Sequence, residues 1–250
     1  GGIIPSYGIG HSEAQWFVRG VPNVKKAFAK VWGTNDLLTS FDGVSLWRPW
    51  NIDPSWKTQS GQAWFHIDQH PISKPGKQCI QGLINLLPTS KEIGGNVVIP
   101  KSHNFFKDLP EEYKERVERL PLDIDHFRFP HDDPKLSSEP AVMAHMEPGD
   151  MLLWDSRTIH CSSSGSSLPE GTNDLIRAAS LICMMPKKLS SKEILDKRIH
   201  AAENLVSTTN WTNDFRNADE FPIILEAENR DQYKWPKKPN LSDYQKELIA

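Results

Sequence analysis

A chain of 250 residues carrying 29 Lys and Arg against 32 Asp and Glu has a net charge of −3, which excludes a global pull toward nucleic acid or an anionic membrane surface. With 38% hydrophobic residues, 9 Trp and 10 Phe it can bury a real core, so a disordered chain is excluded as well. Three cysteines without paired spacing, Cys79, Cys161 and Cys183, argue against a disulfide framework or a Cys-based zinc site and fit a reducing, cytoplasmic compartment.

The chain opens Gly-Gly without Met and without a charged-then-apolar leader, so further residues are expected before Gly1. No apolar run reaches the roughly 18 residues of a membrane span. Residues 1–36 read as a helical flank. Ser12 can cap a helix through Arg19, and Pro22 starts a second whose apolar Val24, Ala27, Phe28 and Val31 keep a helical period until Gly33. From Leu37 the period becomes two. The segments LLTSFDGVSLW, AWFHID, QCIQGLINLL, GNVVIP, AVMAHM, DMLLWDS, TIHCSS and LIRAASLICMM read as about eight short strands, separated by Gly, Pro, Asn and Ser.

That count predicts a mainly β fold with flanking helices, a double-stranded β-helix (jelly-roll, cupin-like) core over residues 37–187. The charged stretch from Pro110 to Leu120 reads as a helical surface insertion. Residues 188–250 form a helical and irregular flank. In it Ser190 or Ser191 caps a helix with the apolar stripe Ile194, Leu195, Ile199 and Ala202, expected outside the barrel, and Pro222, Pro236 and Pro239 mark an irregular tail. Neither repeat nor linker divides the chain, so residues 1–250 are expected to form one domain. The sequons at Asn210 and Asn240 carry little weight.

Residues 64–71, WFHIDQHP, raise the functional question. His66 and Asp68 stand two apart, which on a strand points both to one face where a metal can use them; the plain reading is a polar strand end closing at Gln69, His70 and Pro71. Two His and one carboxylate on one face of Fe(II) leave positions open for a cosubstrate and oxygen. A second His-x-Asp, His131 to Asp133, lies between two Pro residues and reads as a solvated loop. The third ligand should come from a distant strand. In GDMLLWDSRTIHCS, His160 ends a short apolar segment; His145 is its rival, whereas His11 and His200 lie in helices, His103 follows Pro100 in a loop and His126 neighbours charged loop residues. Arg177 interrupts the apolar LIRAASLICMM. A buried Arg demands an anion, and its fork suits two-point binding of a carboxylate such as that of 2-oxoglutarate, or else an internal ion pair.

The order His66-x-Asp68, then GGNVVIPKSHNFF at Gly94 to Phe106, then GDMLLWDSRTIHCSSSG at Gly149 to Gly165, then Arg177, resembles the phytanoyl-CoA dioxygenase family of Fe(II)- and 2-oxoglutarate-dependent oxygenases. The resemblance covers residues 37–187. It implies Fe(II), 2-oxoglutarate and O2 as cofactor and cosubstrates, His66, Asp68 and His160 as metal ligands, and Arg177 as the salt-bridge partner of 2-oxoglutarate, assisted by Ser162. It also places Gln81, with Asn85 beyond it, as cosubstrate-facing. The insert SSSGSSLPEGTND before Arg177 departs from the family and reads as a plain flexible loop, with a mobile flap at the mouth of the site as the alternative.

Related halogenases carry Gly or Ala where Asp68 stands, so hydroxylation or another oxidation is implied over halogenation, with release of succinate and CO2. Trp47, Arg48 and Trp64, with Trp50 nearby, offer aromatic walls and one cation for a small organic substrate that bears an anionic group, beside the reading, expected for at least two of the three Trp, of core or rim packing. Lys74, Lys77, Lys187 and Lys188 are candidates for the phosphates of an acyl-CoA. Two other readings stand beside this one: a cupin-like metal protein acting as a non-redox isomerase or hydrolase, which has no need of Arg177, and a non-catalytic binding scaffold. Oligomeric state is not legible.

Overall fold

The computed structural model describes residues 2–58, 64–220 and 234–250. Ala63, at the head of AWFHID, and Pro222 fall outside them. Helix α1 (Glu13–Arg19) begins where the Ser12 hydroxyl accepts from the Gln15 amide, and α2 (Pro22–Trp32) starts on its Pro and stops at Gly33 in the left-handed region, φ 69°. Twelve strands follow one another among the described residues: β1 (Ile3–Ile4), β2 (Leu37–Thr39), β3 (Val44–Trp47), β4 (His66–Asp68), β5 (Ile80–Asn85), β6 (Gly94–Val98), β7 (His126–Arg128), β8 (Val142–Met143), β9 (Met151–Asp155), β10 (His160–Ser164), β11 (Arg177–Leu181) and β12 (Met184–Pro186). They build two five-stranded antiparallel sheets, β1-β3-β11-β5-β9 and β7-β4-β10-β6-β8, with β2 and β12 paired apart. This is the jelly-roll core.

LLTSFDGVSLW and LIRAASLICMM each split into two strands, which raises the count. The sequence reading also lacks β1, which is only two residues long, and β7, which lies among charges.

Period-two alternation explains why the site faces inward. On β5, Gln81 and Leu83 share one face, while Ile80 and Ile84 face the other way and pack with Val24 and Phe28 of α2. On β4, His66 and Asp68 flank Ile67, whose side chain joins Val97, Phe127 and Cys161 in the other outer core. That second core is closed by Phe106, Leu109 and Val117, which belong to the 3-10 turn Ser102–Asp108 and to α3 (Leu109–Glu112) and α4 (Lys114–Arg119). The stretch expected to be a surface insertion is therefore a lid on the second sheet. Its charges face solvent and its few apolar residues are buried.

The C-terminal flank differs from its sequence pattern. Helix α5 (Lys192–Asn204) is capped by Ser191 as expected, but it buries Arg198 and Ala201, leaving Ile199 44% exposed. The Arg198 guanidinium donates to the carbonyls of Thr39, Leu248 and Ile249, a role for which an aliphatic stripe has no substitute. The tail is pinned by these bonds. It also contains α6 (Asp243–Lys246), opened by a Ser242–Gln245 capping box, and buries Leu248 completely. No helix among the described residues is long and apolar enough to cross a membrane.

Packing of the flanks predicts a pH effect. His11 is buried against Phe41; Trp16 Nε1 lies 3.4 Å from its Nδ1, and its Nε2 faces the Val206 carbonyl at 2.9 Å, which fixes a neutral ring. Burial first, then nearby Arg19 and Arg198, push its pKa down to about 3 from an ordinary 6.5. The unfolded chain therefore takes up this proton first, so the stabilisation is whole above pH 6.5 and drains away as the pH falls toward 3. At pH 5 the loss is about 2 kcal/mol. Denaturant unfolding at pH 7 and pH 5 should show His11→Gln losing less stability on acidification than the unaltered protein; equal losses would sink the assignment.

Candidate metal centre

Strands β4 and β10 pair with His160 directly opposite His66, which sets the two rings on one face with centroids 4.4 Å apart. Each imidazole spends Nδ1 on the carbonyl two residues back, His66 on Trp64 and His160 on Thr158, both at 2.8 Å. A carbonyl can only accept, so each Nδ1 carries the proton and each Nε2 is a bare lone pair. Those lone pairs meet the Asp68 carboxylate at 3.5 Å and 3.3 Å. One donor atom from each residue lies within 4.8 Å of the others. Three electron-rich atoms converging on one point repel each other until a cation sits among them, and two imidazoles with one carboxylate are the donor set of a facial-triad metal site.

The electrostatics agree. Burial lowers the His66 pKa to about 4, which keeps the ring neutral and able to ligate at pH 7. Burial works against the charge on Asp68, yet its carboxyl lies well below the usual range, with the His126 Nδ1–H among the groups that hold it there.

From the facing sheet, Gln81 Nε2 donates to Asp68 Oδ2 at 2.9 Å, so this side chain reaches the carboxylate of the triad. Asn85 points to the end of the sheet instead and bonds the carbonyls of Leu87 and Met146. Arg177 stands opposite Trp47 in the β11–β3 ladder, with its guanidinium carbon 4.5 Å over the indole. It is 1% exposed, and its Nε and Nη1 have no hydrogen-bond partner among the described residues. Burial lowers its pKa to about 10. No acid among the described residues pairs with it, so the internal ion pair is not found.

A cavity of about 300 Å³ lies between the sheets, and the triad, Arg177 and Ser162 all line it. Along its wall Asn96 Oδ1, Trp154 Nε1, Ser45 Oγ and Thr209 Oγ1 are buried without partners among the described residues. Unsatisfied polar atoms in such number mark a place for a polar ligand.

Of the three expected substrate contacts only Trp64 lines the cavity; it stacks on His66 at 4.9 Å and donates from Nε1 to the Ser162 carbonyl. Trp47 lies beneath Arg177 in a cluster with Trp50 and Ile176, and Arg48 is exposed over the Trp56 ring. The insert before Arg177 packs Leu168 on that same cluster, and past Ser162 none of it lines the cavity. It is a wall brace and not a flap over the mouth. Lys74 bonds Asp125 and Asp214, Lys77 sits over Trp32, and Lys187 and Lys188 do not line the cavity.

His131 and His145 are exposed, and His70 closes a turn by accepting from the amides of Ile72 and Ser73. His126 is the residue that sequence reasoning passed over. It lines the cavity on β7, with Nδ1 3.3 Å from Asp68 Oδ1 and its ring 4.3 Å from His66. The alternation of Phe127 and Phe129, both buried, was its available signal. Asn96 and Trp154 join the wall from the two stretches that carry the family resemblance, although neither residue was singled out there, and Thr209 and Asn210 join it from the C-terminal flank.

The phytanoyl-CoA dioxygenase family model matches residues 23–168 of this chain. "Ava biosynthesis cluster protein O" of Aspergillus versicolor is 33% identical over 211 residues, covering 81% of this chain and 64% of that protein. A "putative phytanoyl-CoA dioxygenase" of Dictyostelium discoideum is 22% identical over 225 residues, covering 78% of this chain and 60% of that protein. The chain thus spans less than two thirds of the length of either relative. The crystal structure of GlcNAc Inducible Gene 2 from Candida albicans is similar in fold, with a TM-score of 0.52 at 14% identity over 98% of this chain and 70% of that one. Matched over more than half its length, the chain belongs to the phytanoyl-CoA dioxygenase family of Fe(II)- and 2-oxoglutarate-dependent oxygenases.

Proposed function

We propose that this chain, as one domain, oxidises a C–H bond of a small organic substrate, most simply by hydroxylation, with 2-oxoglutarate converted to succinate and CO2. The unpaired Arg177 guanidinium, buried in the same cavity as the triad, carries this reading. His66, Asp68 and His160 hold the metal; Arg177, with Ser162, grips the far carboxylate of 2-oxoglutarate by its planar fork. When bound, Fe(II) and 2-oxoglutarate supply the activation of O2. The chain itself binds, orients and keeps water out. Trp47 supports the guanidinium from below, and Trp64 shields one face of His66.

A non-redox cupin-like enzyme leaves the desolvated Arg177 without a purpose, so the oxygenase reading is preferred. The neutral unpaired atoms of Asn96, Trp154 and Thr209 favour a substrate that bears hydroxyl or carbonyl groups. Anaerobic titration with Fe(II) and then 2-oxoglutarate should produce the weak visible charge-transfer band of the chelate. If Fe(II) binds and 2-oxoglutarate raises no band, the cosubstrate assignment is wrong.

Asp68 sets the reaction class. Because a carboxylate stands in the third ligand position, product formed in bromide buffer should be hydroxylated or desaturated and free of bromine by mass spectrometry. Asp68→Gly should lose nearly all turnover. A brominated product from the unaltered protein would refute the ligand set.

A further inference from the structure

Strand β7 sits at the edge of the second sheet and pairs His126 directly with Asp68, so both side chains rise on the same face. Its neighbour two residues on, Arg128, donates from Nε to His126 Nε2 at 3.1 Å. A guanidinium has no acceptor, so Nε2 must be the accepting nitrogen and Nδ1 must carry the hydrogen. That N–H faces Asp68 Oδ1 at 3.3 Å. The other carboxylate oxygen takes the Gln81 amide from the opposite sheet.

We infer that His126 is a positioning residue for Asp68, its ring tautomer set by Arg128, and that with Gln81 it clamps the carboxylate from both sheets. The inference rests on the reading of Asp68 as a metal ligand. An Asp carboxylate turns freely about its last side-chain torsion, whose wells are broad. Donors on both oxygens stop that rotation and aim the carboxylate at the point shared by the two Nε2 lone pairs. Outer-shell donors of this kind ordinarily change metal affinity by about 10- to 100-fold. A role in folding is a poor rival, since His126 is on an edge strand and its side chain is 38% exposed.

The test is titration of the full chain with Co(II) alone, read by affinity and by the visible ligand-field spectrum, with thermal melting as the check on folding. His126→Phe keeps a ring on His66 and removes the donor; it should bind Co(II) at least about tenfold more weakly and with a changed spectrum. His126→Asn puts an amide N–H near the position of Nδ1–H and should recover affinity to within about threefold, with the spectrum restored. Arg128→Leu, which frees the tautomer, should fall between. Wild-type affinity and spectrum in His126→Phe would overturn the clamp, as would an Asn variant no better than the Phe variant. Failure of the unaltered protein to bind Co(II) would instead remove the metal centre, and the clamp with it.

Discussion

Replacing His160 with Ala is expected to abolish tight Fe(II) binding while the chain still folds. The variant loses one of the three donors found among the described residues, and it loses the one that β10 places opposite His66. Two remaining ligands make an open, weak chelate. The fold has reason to survive. The Thr158 carbonyl loses its partner, a penalty of about 1–3 kcal/mol against a typical total of about 5–15 kcal/mol. Against that, one of the two lone pairs crowding the Asp68 carboxylate is gone, which relieves the metal-free protein. His66→Ala should behave in the same way, and His131→Ala should bind iron normally from its exposed loop. Anaerobic Fe(II) titration beside circular dichroism decides the matter. Iron lost in His131→Ala and kept in His160→Ala would mean that the wrong motif holds the metal.

Much of this centre was legible because its residues break a local pattern. His66 and Asp68 share the face opposite the apolar Ile67, and Arg177 is a cation inside an apolar run, so each stands out within a few residues of sequence. His126 does not stand out. It lies in DIDHFRFP, where charged neighbours mask a three-residue strand, and only pairing with β4 gives it a meaning. Trp47 and Arg48 mislead for a different reason: Trp47 shares with Ser45 the face of β3 that looks toward the cavity but is covered there by Arg177, and Arg48 lies past the end of the strand. One lies beneath the guanidinium and the other in solvent. The stripe on α5 fails likewise, because apolar periodicity has no way to announce that an Arg will be buried to bind backbone carbonyls.

Arg177→Leu is expected to separate cosubstrate binding from stability. Leu is apolar, and the guanidinium it replaces is buried with Nε and Nη1 unpaired. In the protein without cosubstrate that cation is a liability, offset only by stacking on Trp47, worth about 0.5–2 kcal/mol. Melting of the metal-free variant should therefore stand at or above that of the unaltered protein. Fe(II) should still bind, because none of the three ligands is touched. Affinity for 2-oxoglutarate should fall by about 2–5 kcal/mol, the usual penalty for leaving one member of a desolvated charge pair alone. Arg177→Lys should recover only part of it, since an ammonium keeps the charge and loses the two-point fork. Succinate release and the charge-transfer band, followed across a 2-oxoglutarate series, measure the shift. Unchanged affinity in the Leu variant, or a large fall in its melting temperature, would assign Arg177 to the architecture of the barrel and leave the far carboxylate of 2-oxoglutarate without its anchor.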